Sequence, residues 1–232
     1  MDQFDKELLE ATHQGSEHWL SERIGRFTAS EIHRLMGEPR NKADKWSEGA
    51  WTYILEKVAE EITGMEKFTP DTYAMAWGKE NEPIARDLFQ KAVGASKIEV
   101  PGFKPYEYEG KIIGGASPDG IAHFDVGDEV IPGYGCEIKC PSNPAIHISY
   151  LLIESAVYMK KHHKDHYWQC QMGMLCAGLD SWKFVSYQPK VKGLELFRFP
   201  LTRNDADLDQ LKEKVIAAWN EKEEIKAKLL KL

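Results

Sequence analysis

With 232 residues, 42% hydrophobic and 29% charged, the chain reads as a packed globular protein rather than a disordered one. Its formal charge of −7 argues against a simple polycationic DNA binder, which gains affinity by neutralising many phosphates; a local basic channel is still compatible with that total. No apolar run approaches the roughly 20 residues that span a bilayer, and four cysteines fit a reducing compartment.

The opening stretch, Met1-Asp2-Gln3-Phe4-Asp5-Lys6-Glu7, is acidic and polar, unlike a secretory signal, so a cytoplasmic location is expected. Residues 1–93 read mostly as helices. Ser16 is placed to cap a short helix carrying Trp19, Leu20 and Ile24. Thr28 or Ser30 is placed to cap the next, with Ile32, Leu35 and Met36 apolar and Gly37 ending it. Residues 47–63 carry Trp51, Ile54, Leu55, Val58 and Ile62 at helical spacing, and Gly64 follows as a C-cap. Residues 71–92 read as a further helix with Trp77, Ile84, Leu88 and Phe89 as core candidates and a start or kink near Pro83.

The texture changes at residue 96. Ile98–Val100, Phe103–Tyr108, Lys111–Ile113, Gly120–Phe124 and Gly135–Lys139 are short and separated by Gly and Pro, as strands are. Helices are expected over 145–160 and 165–177, then strands over 181–187 and 194–199. Leu208, Leu211, Val215, Ile216, Trp219 and Ile225 give the tail from Asp205 to Leu230 one apolar helical face. The order predicts an α/β fold with a central mixed, mostly antiparallel β-sheet flanked by helices. One domain over 1–232 is expected: a mainly helical part (1–93), a sheet-and-helix catalytic part (96–200) and a C-terminal helix (204–232).

Two stretches carry the chemistry: Ser117-Pro118-Asp119-Gly120 and Cys136-Glu137-Ile138-Lys139-Cys140. On a strand, Glu137 and Lys139 share one face while Ile138 points into the core. Asp119, Glu137 and the Ile138 carbonyl would make an oxygen-rich site suited to Mg²⁺ or Mn²⁺. Lys139 would stand beside a metal-activated water, which points to phosphodiester cleavage. The segment Trp77-Gly78-Lys79-Glu80-Asn81-Glu82 offers Glu82 as a third acidic ligand. Arg23 and Arg26 beside a helix start at Thr28–Ser30 suggest a phosphate cradle, with solvated arginines and an ordinary cap as the alternative. The cysteine spacings match no usual zinc pattern, so Cys136, Cys140, Cys170 and Cys176 read as small buried residues.

In combination, Ile24-Gly25…Thr28-Ala29-Ser30-Glu31, Ala76-Trp77-Gly78-Lys79…Glu82, Ser117-Pro118-Asp119-Gly120, Glu137-Ile138-Lys139-Cys140-Pro141 and Gln169-Cys170-Gln171 are specific. From about Trp19 to Tyr187 the sequence resembles the phage lambda exonuclease and YqaJ-type viral recombinases, a branch of the PD-(D/E)xK nucleases. The resemblance implies a restriction-endonuclease-like core. It implies Asp119, Glu137, the Ile138 carbonyl and Glu82 as ligands of Mg²⁺, with two ions per site, and Lys139 beside the attacking water. Arg23, Ser30, Ser117 and Gln169 fall where such enzymes hold a terminal 5′-phosphate, and Arg40 where a basic residue reaches the duplex. It further implies 5′→3′ digestion of one strand of duplex DNA, a homotrimeric ring and a single-strand annealing partner. The chain departs from lambda-type members at Ser47-Glu48-Gly49-Ala50-Trp51, where those carry strand-parting apolar residues; Trp51 reads as core. An endonuclease of the same fold and a non-catalytic DNA scaffold are the alternatives.

Weaker signals remain. His162 and His166 would share a helix face at zinc-compatible spacing, but with no adjacent cysteine a solvated or phosphate-facing role is expected. Lys160, Lys161 and Lys164 form the most basic window, either facing DNA or a subunit or simply solvated. Trp77 and Trp182 read as core.

Overall fold

The computed structural model describes residues 16–67, 70 and 72–232. Met1–Glu7, read above as unlike a secretory signal, lie outside the described residues. Helix α1 (Glu17–Arg23) starts where Ser16 Oγ accepts the Trp19 N–H at 3.2 Å. Helix α2 (Glu48–Thr63) is capped by Ser47 and closed by Gly64; α3 (Tyr73–Val93) is capped by Thr72 and closed by Gly94. Pro83 neither starts nor ends α3, which runs through it, because one missing N–H is only one bond of a long ladder.

The segment expected to cap a helix at Thr28 is instead strand β1 (Phe27–Thr28), followed by a single 3₁₀ turn at Ile32–Arg34. The backbone there is committed elsewhere: the Thr28 N–H donates to the Tyr53 hydroxyl at 3.0 Å, and the Ala29 N–H to the Gly115 carbonyl at 2.9 Å. Further strands are β2 (Lys97–Glu99), β3 (Lys104–Tyr108), β4 (Lys111–Ala116), β5 (Gly120–Val126) and β6 (Glu129–Lys139). The expected helix over 145–160 is two, α4 (Pro144–Leu151) and α5 (Ala156–His162), because Ser155 caps a fresh start by accepting the Tyr158 N–H. Helix α6 (Lys164–Ala177), strands β7 (Ser181–Tyr187) and β8 (Leu196–Thr202), and helix α7 (Asp205–Leu229) complete the chain.

Strands form two sheets rather than one. One has the order β1-β4-β3, the other β2-β5-β6-β7-β8. Only β1/β4 and β6/β7 pair in parallel, so the mixed, mostly antiparallel character holds. The sheets part at Ser117-Pro118-Asp119, where proline has no N–H to give a ladder. Parallel β6 and β7 require a crossover, which α4 to α6 supply.

The main core joins Phe27, Tyr53, Ile54 and Ile113 to Trp168, Met172, Trp182, Phe184, Leu211 and Val215. A second cluster packs Ala85 and Phe89 of α3 against Cys136, Ile138 and Val185. Trp51 and Leu55 are 41% and 40% exposed, and Ile62, Ile84 and Leu88 are also exposed, against expectation. Helix α2 is phased by Tyr53, Ile54 and Val58, which turns Trp51 outward. Trp182 is core; Trp77 is half-buried, with Lys190 over its ring. Among the described residues no helix is long and apolar enough to cross a membrane.

Candidate active site

Strand β6 alternates as the sequence requires. Cys136, Ile138 and Cys140 face the apolar cluster under α3, while Glu137 and Lys139 face the opposite side. Asp119 ends the turn before β5, beside β6, and its Oδ2 accepts the Ile138 N–H at 2.6 Å. Asp119 also hydrogen-bonds Glu137, whose Oε1 lies 2.7 Å from Lys139 Nζ. Both carboxyls are buried.

Burial, and then the Glu137 charge, push the Asp119 carboxyl up to about 8. Burial likewise raises Glu137, with Lys139 opposing. Burial alone would lower Lys139, but Glu137 and Asp119 outweigh it and hold the ammonium firmly charged. Glu82, on α3, is raised by burial and by Asp119. Three crowded carboxyls, Asp119, Glu137 and Glu82, face two cations, Lys139 and Arg86, and stay short of positive charge, which is the donor chemistry of a hard divalent cation. Among the described residues no three His, Cys, Asp or Glu side chains meet at ligand distance; Lys139 and Arg86 hold Glu137 and Glu82 as ion pairs.

These groups open into a cavity of about 220 Å³. Arg23, Ser30, Ser117 and Gln169 line the same space, so eight of the nine side chains that the family resemblance assigned to the site meet there. Arg40 does not: it lines a separate exposed depression with Glu38, Asp44 and Glu48 before α2. The Ile138 main chain borders the cavity. Arg23 is a second cation of the cavity, besides Lys139. Its guanidinium lies 4.2 Å from the Trp19 ring centre, and among the described residues its buried Nε has no hydrogen-bond partner. Burial lowers its proton affinity, the mark of a guanidinium short of counter-charge.

The cradle expected from two arginines and a helix start holds one arginine and no helix start. Arg26 turns away and donates to the Ser21 and Glu22 carbonyls, closing the end of α1. The loop that carries Ser30 is β1 and a 3₁₀ turn. His162 and His166 do not share a helix, because the break at His163 separates α5 from α6. His162 lies against Tyr158, while His166 is turned inward onto the Tyr150 hydroxyl at 2.8 Å and burial drives it down to about 3, a neutral ring. Lys160 bonds Asp207 and Lys164 bonds the Met36 carbonyl, so two of the three lysines in that window are turned to the protein's own body.

The YqaJ-like viral recombinase domain family matches residues 18–180. The chain belongs to that family. An alkaline exonuclease from Laribacter hongkongensis is 26% identical, with a TM-score of 0.73 over 93% of this chain and 97% of its own. The same exonuclease in complex with dAMP superposes equally well, over 92% of this chain and 96% of its own. A phage-related exonuclease from Haemophilus somnus 129PT, 18% identical, shares the fold with a TM-score of 0.65 over 88% of this chain and 96% of its own. No curated protein sequence matches. Family and shared fold support a phage-type exonuclease.

Sequence reasoning missed three residues of this YqaJ-like site. Arg86 donates Nε to the Asp119 carbonyl at 2.9 Å and a second N–H to Glu82, tying α3 to the acidic turn. Its signal was visible, since it lies one helical turn beyond Glu82. Trp19, read only as an apolar helix residue, donates its indole N–H to Ser117 Oγ at 2.8 Å and stacks under Arg23. Trp182 forms part of the cavity wall; a Cβ on Gly135 would lie 2.1 Å from its ring and one on Gly173 2.7 Å. In the Gln-x-Gln pair, only Gln169 faces the cavity. Gln171 is buried, donating to the Thr202 carbonyl and accepting the Asn204 N–H.

Proposed function

We propose that the chain is a Mg²⁺-dependent 5′→3′ exonuclease. It would digest one strand of linear duplex DNA from 5′-phosphorylated ends and leave 3′ overhangs for phage-type recombination by strand annealing. One observation carries the reading: a single cavity joins Asp119, Glu137, Lys139 and Glu82 to a wall of Arg23, Ser30, Ser117 and Gln169. A cutting centre beside an anion pocket suits a substrate with a terminal phosphate, because such a pocket has no use on a closed circle.

Asp119, Glu137, the Ile138 carbonyl and Glu82 would hold Mg²⁺, two ions per site, with Mn²⁺ able to substitute. When bound, the ion polarises the phosphoryl oxygen and lowers the pKa of its water. Lys139, kept charged by its two carboxylates, positions that water and offsets developing negative charge. Arg86 keeps Glu82 and the Asp119 turn in register. Arg23 from the end of α1, Ser30 from the loop after β1, Ser117 from the turn after β4 and Gln169 from α6 grip the terminal phosphate, with Trp19 orienting both Arg23 and Ser117. Arg40, outside the cavity, contacts the duplex backbone. The working form is a single-domain protomer in a homotrimeric ring in the host cytoplasm, paired with a single-strand annealing recombinase.

The test is digestion of end-labelled linear duplex. Mg²⁺-dependent release from the 5′-phosphorylated strand, with a covalently closed circle left intact, is expected. Cutting of the circle, no cleavage with Mg²⁺ or Mn²⁺, or full activity in Lys139→Ala would sink the proposal.

A further inference from the structure

Two of the four residues read as an anion pocket, Arg23 at the end of α1 and Ser30, flank an arch over residues 24–29, with the left-handed Gly25 (φ 70°) at its bend. Both polar atoms of Gly25 are held by buried charges from outside the arch. Its N–H donates to Glu60 Oε2 at 3.0 Å, and Glu60 is itself gripped by Lys57 Nζ at 2.9 Å on both oxygens. Its carbonyl accepts from Lys222 Nζ at 3.0 Å. Lys222 belongs to α7, is 0% exposed, sits 3.5 Å from the centre of the Trp219 ring and pairs with Glu61. It lies beyond the residues the family match covers.

A fully buried lysine is an expensive way to fill space; an apolar side chain of the same length would suit packing better. What the ammonium does that an apolar group cannot is fix a carbonyl. The carbonyl it fixes is two residues from Arg23, and on the other side of the bend Tyr53 holds Thr28, two residues before Ser30. Arg23 ends α1 over the Trp19 ring, and among the described residues its Nε has no partner, so the seating of that helix end at Gly25 helps to set where its guanidinium points.

We propose that Lys222 is a positioning residue for the terminal-phosphate pocket: by anchoring Gly25 it aims Arg23, and so sets discrimination between phosphorylated and hydroxyl DNA ends. The inference rests on the reading of that wall as a phosphate pocket.

The experiment compares binding of short duplexes with 5′-phosphate or 5′-hydroxyl ends by fluorescence anisotropy, with chelator present so that no cleavage occurs. Lys222→Met keeps the side-chain length, and Glu61 retains Lys226. The phosphate-over-hydroxyl affinity ratio should fall by about tenfold, the worth of one hydrogen bond to a charged group, while hydroxyl-end affinity holds. Lys222→Arg, which keeps a donor, should restore the ratio. A folded Lys222→Met with the parental ratio, or equal losses on both ends, overturns the inference and leaves the proposed function standing. A parent protein with no preference for phosphorylated ends overturns both. If Lys222→Met does not fold, Gly25→Ala decides. It strains the same left-handed bend, and its added Cβ comes within 3.2 Å of the Glu61 side chain; an unchanged ratio there is equally fatal.

Discussion

Replacing Asp119 by asparagine should make the chelator-treated protein more stable at pH 9, although the same change removes a proposed metal ligand. The Asp119 carboxyl is buried against Glu137 and is raised from 3.8 to about 8. Between those values the folded state holds a proton that the unfolded chain releases, so stability falls as pH rises through this window and the whole loss is present above pH 8. Roughly four pH units at 1.36 kcal/mol each set a ceiling of about 6 kcal/mol. Side-chain motion and water entry reduce it, and about 2–3 kcal/mol is expected, as when buried charges are exchanged for neutral groups. Asparagine keeps an oxygen for the Ile138 N–H and carries no charge toward Glu137. For a chain of this length the gain corresponds to about 5–10 °C in Tm. Thermal melts of both proteins in chelator, from pH 5 to pH 9, read the effect. The gap should be small at pH 5 and widen with pH; added Mg²⁺ should close it by stabilising the parent protein more. A gap that does not depend on pH, or a variant no more stable than the parent at pH 9, would refute the picture of buried carboxyls only partly offset by Lys139 and Arg86.

Lys139→Ala should lower single-turnover cleavage by about 100- to 1,000-fold while duplex affinity in chelator stays near parental, read by quenched-flow digestion and anisotropy. Trp19→Phe keeps a ring under Arg23 but removes the N–H given to Ser117, so preference for phosphorylated ends should weaken with little change in Tm. Gly135→Ala should cost about 2–3 kcal/mol in urea melts, because a Cβ there meets the Trp182 ring at 2.1 Å. Arg40→Ala, off the cavity, should leave the cleavage step untouched and reduce the salt slope of duplex binding by about one.

The acidic cluster was legible because strand alternation is local: once Glu137 and Lys139 share a strand, their common face follows, and only Asp119 must be brought alongside. The grouping of Arg23, Ser30, Ser117 and Gln169 was legible as a set of residues but not as a shape. Thr28 and Ser30 look like helix caps in isolation, and only the Tyr53 hydroxyl and the Gly115 carbonyl, both distant in sequence, turn that stretch into a strand. The exposed Trp51 shows the same limit, since apolar spacing along α2 fits more than one helical phase and Tyr53 decides between them. Lys222 was invisible for a different reason. In a helix rich in Lys and Glu, nothing local marks the one lysine that faces inward. The single central sheet became two because Pro118 interrupts what would otherwise be a continuous ladder.

The hydrogen bond from Lys222 to the Gly25 carbonyl spans 197 positions of the chain. Synthesis runs from the N-terminus, so the arch, both carboxylates and Lys139 all leave the ribosome before the residue that fixes the arch exists. A chain that stops short of Lys222 therefore carries its acidic centre without the bond that anchors Gly25. The bond that seats Gly25 forms only once α7 has been made, long after the acidic centre.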